Sequence, residues 1–76
     1  MSSWADRITS DPAVCHGKPC IRSSRVPVSI VVGSLGGGMS FAEVEAEYGI
    51  TEADILAALS YAAELAAGES VHPLSA

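Results

Sequence analysis

Positive charge is scarce in this chain: of its 76 residues only Arg7, Lys18, Arg22 and Arg25 are basic, and all four lie within the first 25 positions. Seven of the nine acids, Glu43, Glu45, Glu47, Glu52, Asp54, Glu64 and Glu69, follow residue 40. With Asp6 and Asp11 set against the basic residues, the two halves carry +2 and −7. Nucleic-acid binders usually present a basic face, so the acidic half argues against DNA binding by a lone monomer. Long apolar runs are missing too: none approaches the roughly 20 residues that span a bilayer. The sequence also does not open with a basic segment leading into an apolar core, and a cytoplasmic protein is expected.

Cysteine is sparse, and its spacing is uninformative for metal. Cys15, His16 and Cys20 place two thiols in C-x4-C, at the loose end of the zinc range, with no second Cys/His pair and with His72 far along the chain. Structural or incidental cysteines are expected, with no metal and no cofactor. A cytosolic disulfide is disfavoured by the redox compartment. His16 and Lys18 are the only neighbours that would favour a thiolate, and no oxyanion-stabilising motif accompanies them. Gly33-x-x-Gly36-Gly37-Gly38 lacks both the lysine of a phosphate loop and the strand-to-helix setting of a dinucleotide site. The chain is read as a non-enzyme.

What is present is apolar. Hydrophobic residues make up 49% and charged ones 17%, too apolar for a disordered chain and suggestive of surface kept for a partner. A homodimer is the expected form.

The strongest local signals lie between Met39 and Ala67. Ser40 is a good N-cap with Glu43 three residues on, and Met39 can staple to Val44, so a helix starts at Phe41. The device returns with Thr51 as cap, Asp54 at the third helical position and Ile50 facing Ile55, so a second helix starts at Glu52. Gly49 between them can take the left-handed conformation that closes the first helix. The pair reads as a helix-turn-helix. Upstream, Val28 to Leu35 fits either a strand or a helical stripe; its position after Pro27 and before three glycines predicts a first helix.

The expected architecture is mainly α, with a short N-terminal hairpin or edge strands in a β unit over residues 8–27. Helices follow at about 28–35, 41–48 and 52–67. A flexible start (1–7) and a loose tail (68–76) flank this single domain. Within the β unit, Arg7 to Ser10 and Cys20 to Arg22 are the extended segments, Ser23-Ser24 a turn, and Arg25-Val26-Pro27 an extended return. Trp4 is expected to fray unless its indole docks.

On the last helix, Ile55, Leu56, Leu59, Ala62, Ala63 and Ala66 form one stripe. Leu59, Ala62, Ala63 and Ala66 are the candidate dimer face, because small residues allow close helix approach; alternatively, alanine is there as the best helix former. Thr51, Glu52 and Ala53 are the helix start that would meet DNA, with Glu52 and Asp54 repelling phosphate. Lys18, Arg22 and Arg25 form a cluster that can clamp phosphate or carboxylate, or that guards an edge hairpin as solvated charge.

Several of these stretches, taken in order, carry a resemblance. Ile8-Thr9-Ser10-Asp11-Pro12, Cys15-His16-Gly17-Lys18-Pro19-Cys20-Ile21-Arg22, Arg25-Val26-Pro27-Val28, Gly38-Met39-Ser40 and Thr51-Glu52-Ala53-Asp54-Ile55 closely resemble the bacterial domain-of-unknown-function 433 family. The likeness covers Ile8 to Glu64 and is most specific from His16 to Val28. Two departures are Ser23-Ser24, where the family usually has Gly-Thr, and Gly36-Gly37, which replace residues that favour helix. The resemblance implies a small β element followed by a dimerising three-helix, helix-turn-helix-like domain. It further implies a VapB-type antitoxin that restrains a PIN-like ribonuclease toxin and, with it, regulates its own operon. The other reading is a stand-alone helix-turn-helix DNA-binding regulator.

Overall fold

The computed structural model describes residues 4–13 and 15–68, apart from the side chain of Cys15. A 3-10 turn, Trp4–Asp6, leads into β1 (Ile8–Thr9). A second 3-10 turn, Cys15–Gly17, leads into β2 (Cys20–Ile21), and three helices follow: α1 (Val28–Gly36), α2 (Phe41–Tyr48) and α3 (Glu52–Gly68). Gly68, expected to open the tail, is the last residue of α3, and the rest of the expected tail, His72 included, lies outside the described residues.

The two strands pair antiparallel, Ile8 with Ile21 and Thr9 with Cys20. Alternation gives each strand a buried isoleucine, and both enter the core. The chain then turns through Arg22 to Ser24 and comes back alongside β2, where the Ile21 N–H donates to Val26 O at 2.8 Å and the Arg25 N–H to Ile21 O at 2.6 Å. A bridge pairs Cys20 with Pro27. With serines where the family has Gly-Thr, this turn closes without glycine, and the residue in the left-handed region is Arg25, at φ 62°. His16 (φ 55°) and Gly17 (φ 83°) make the other left-handed pair, in the turn before β2.

The ambiguous Val28 segment is helical, and it runs one residue past Leu35 to include Gly36. Its first turn has no side-chain cap; instead the Val28 N–H donates to Pro19 O at 3.1 Å, tying the helix start to the hairpin. The glycines then stop it. Gly37 N–H returns to Gly33 O, and Gly38 at φ 105° turns the chain toward Ser40. Ser34 Oγ and Tyr48 Oη, 2.9 Å apart, join α1 to α2.

Both expected capping pairs are formed. Glu43 N–H donates to Ser40 Oγ at 3.1 Å and Ser40 N–H to Glu43 Oε1 at 2.8 Å. Asp54 N–H donates to Thr51 Oγ1 at 3.2 Å and Thr51 N–H to Asp54 Oδ2 at 3.1 Å. Gly49 closes α2 at φ 67°, ψ 37°.

Val28, Val31, Val44, Ile50, Ile55, Ala57 and Ala58 join Ile8 and Ile21 in one core, with Met39, Leu59 and Tyr61 packed against it. Trp4 meets Tyr61 edge to face at 4.8 Å between ring centroids, so from Trp4 onward the start of the chain is held against α3.

The inward face of α3 differs from the expected stripe. Asp54, Ile55, Ala57 and Ala58 are buried, whereas Leu56 is 49% exposed. An ion pair from Arg7 to Asp54 turns that edge of the helix inward. Residues two apart on a helix lie on nearly opposite sides, so Leu56 is carried outward.

Candidate functional site

The chemistry-bearing residues gather where the hairpin meets the start of α3. Arg7, just before β1, donates from Nη1 to Asp54 Oδ1 at 3.0 Å. Asp54 is only 4% exposed, and each of its carboxylate oxygens has its own partner, Arg7 on one and the Thr51 N–H on the other. Satisfying both oxygens is what makes a buried carboxylate tolerable there.

Arg22 extends the strand ladder, its N–H donating to Arg7 O at 2.7 Å. Its guanidinium folds back across the hairpin, with Nη2 donating to Ile8 O at 3.3 Å and Ala5 O at 3.4 Å. Asp6, Arg7, Arg22, Ser23 and Asp54 line a pocket of about 160 Å³.

Of the three basic residues expected to act together, all are exposed, yet Arg22 shares this pocket with Arg7 and not with Lys18 or Arg25. Lys18 stands in the loop between the Cys15–Gly17 turn and Pro19, and Arg25 at the left-handed position beyond the hairpin turn. Thr51, Glu52 and Ala53 are exposed at the start of α3. Asp54, expected beside Glu52 to repel phosphate, is instead buried and paired, which withdraws it from that surface.

On the proposed dimer face Leu59 packs on this chain's own core and Ala62 is half-buried, while Ala63 and Ala66 are exposed. Leu65, farther along α3, is 53% exposed. Cys20 is fully buried. Among the described residues no three His, Cys, Asp or Glu groups gather as metal ligands would, and no helix is long and apolar enough to cross a membrane.

Arg7 and Asp6 are the site residues that sequence reasoning passed over. The one local signal was a basic residue directly before an extended segment; its partner lies 47 residues away.

A two-stranded hairpin under three helices, the last two joined by a glycine turn, defines a small helix-turn-helix-like domain. The family model described as "Protein of unknown function (DUF433)" matches residues 8–62, and the chain belongs to that family. The crystal structure of a DUF433 member protein from Anabaena variabilis is similar at 36% identity with a TM-score of 0.70. The match covers 76% of this chain and 58% of that one, so this chain spans less than two thirds of that protein. Comparison with curated proteins gives no match.

Proposed function

We propose that this chain is the antitoxin-like member of a type II toxin–antitoxin pair, a homodimer that binds a PIN-like ribonuclease and silences it without chemistry of its own. The observation that carries the reading is the exposed basic rim of the hairpin, Lys18, Arg22 and Arg25, in a protein whose other half is acidic. Nucleases of that class hold their metal with clustered acids, and a guanidinium can pair with such carboxylates through two hydrogen bonds. Arg22 or Arg25, both exposed, is the arginine we assign to that acidic pocket. The left-handed backbone of Arg25, unfavourable for a side chain of that size, is the kind of strain found at binding positions.

The test is co-expression of the tagged chain with the protein of the adjacent gene, with stoichiometry and ribonuclease activity measured on what elutes. A stable, silenced complex that loses at least about tenfold in affinity on Arg25→Ala supports the reading, as expected for one charge-assisted contact. Unchanged affinity in the Arg22→Ala/Arg25→Ala double variant sinks the arginine mechanism.

One observation favours the second reading, a DNA-binding regulator. With Asp54 turned inward, the exposed start of α3 carries a single acid, Glu52, beside Thr51 and Ala53. If the chain elutes alone as a dimer and shifts its own promoter DNA, with affinity falling steeply as salt rises, that reading takes over.

A further inference from the structure

From Ile55 to the end of α3 at Gly68 the only charged residue is Glu64. A helix that is apolar all round belongs inside a structure, yet this one buries a single side, with Asp54, Ile55, Ala57 and Ala58 turned to the core. Facing away from them is a stripe at heptad spacing, Leu56, Ser60, Ala63 and Ala67, and all four are exposed. Leu56, with half its surface in water, is the large apolar member. The stripe differs from the dimer face expected from the sequence, in which Leu59 packs on this chain's own core and Ala62 is half-buried.

The stripe selects a second copy of itself. Its spacings of four, three and four residues read the same in both directions, so a two-fold axis between Ser60 and Ala63 sets Leu56 of each chain on Ala67 of the other, and Ser60 on Ala63. Each large side chain meets a small one, and the small residues let the helix axes approach to about 8 Å. A serine hydroxyl there can turn back to a carbonyl of its own helix. From Ala63 to Gly68 every residue of α3 is exposed, so these turns gain little from their own domain. Reversed pairing lays that end of each helix against Leu56 on the body of the other. The charges permit it: two chains of net charge −5 repel, but the two Glu64 side chains stand out of register, about 7.5 Å apart along the axis. We propose that α3 pairs antiparallel with α3 of a second copy through Leu56, Ser60, Ala63 and Ala67, a pairing that rests on the homodimer of the reading above and gives it a face. The seam is about 16 Å long, too short alone to reach the roughly 1,200 Å² of standard interfaces, so a dimer of micromolar Kd is expected.

Sedimentation equilibrium of the full chain, from about 5 μM to about 1 mM, gives the self-association constant. Leu56→Glu is expected to weaken it at least about tenfold. Leu65→Glu should leave it unchanged, because Leu65, similarly exposed, lies on the opposite side of α3. Both are surface substitutions, and circular dichroism checks that the helices persist. The register is read from a mixture: Leu56→Lys and Ala67→Glu each weaken self-association alone, and combining the two variants in equal amounts restores it by setting the introduced charges opposite each other across the axis. A constant unchanged by Leu56→Glu, an equal loss in Leu65→Glu, or no recovery on mixing would overturn the proposal while leaving a homodimer through another face. A chain that stays monomeric to about 1 mM would overturn it too, giving the stripe to a foreign protein, and nuclease binding would still be decided by co-expression.

Discussion

Two helices of this domain begin with the same four-residue device in unlike surroundings. At α2, Ser40 and Glu43 exchange their hydrogen bonds in the open, both residues exposed. At α3, Thr51 and Asp54 make the same exchange with the carboxylate buried and its second oxygen taken by Arg7 from the far end of the chain. The first cap serves its own helix. The second also fastens the N-terminal segment to α3, so one side chain belongs to local and to tertiary structure at once. Equivalent sequence signals can therefore carry different structural weight, and what decides the weight is the third partner.

The comparison is broken most severely by Asp54→Ala, which removes the cap and leaves Arg7 unpaired against the helix start. We expect about 3 kcal/mol of destabilisation by urea unfolding, above the range of a cap alone. A loss near 1 kcal/mol would show that the two caps are equivalent after all. Arg7→Met comes next, at about 1–2 kcal/mol: the guanidinium is half-exposed and screened, but its removal leaves one buried oxygen without a partner. Ser40→Ala should cost about 1 kcal/mol, the usual value for an exposed N-cap.

The smallest effect is the most discriminating. Arg7→Met and Ser40→Ala should add to within about 0.5 kcal/mol in the double variant, whereas Arg7→Met and Asp54→Ala should fall short of additivity by more than that. Equal coupling in both pairs would mean that Arg7 acts on the whole domain and not through the α3 cap.

The same contrast explains what the sequence made legible. Both capping pairs, the Gly49 stop and the starts of α2 and α3 follow from residues within four positions of one another, and local geometry is what short patterns encode. The pocket is assembled from segments far apart, so proximity along the chain grouped Arg22 with Lys18 and Arg25, while the strand ladder placed it against Arg7. The orientation of α3 was obscured for a related reason. Alanines at 57, 58, 62, 63 and 66 are nearly indifferent to burial, so the hydrophobic pattern did not fix the rotation of the helix about its axis. The ion pair at Asp54 belongs to the contacts that do, and an acid at that position reads locally as a cap alone. The hairpin was visible because Ile8 and Ile21 sit in short extended runs bounded by proline and turn residues; the left-handed Arg25 has no such signature.

The Arg7–Asp54 pair also has a consequence for the order in which this protein can be made. During synthesis Arg7 leaves the ribosome well ahead of its partner, which follows 47 residues later. The buried faces of Ile8 and Ile21 likewise wait for α3 before they are covered. The end of the chain that is born first is thus among the last to be secured, and a nascent chain stalled before α3 presents an unsecured hairpin to proteases and chaperones.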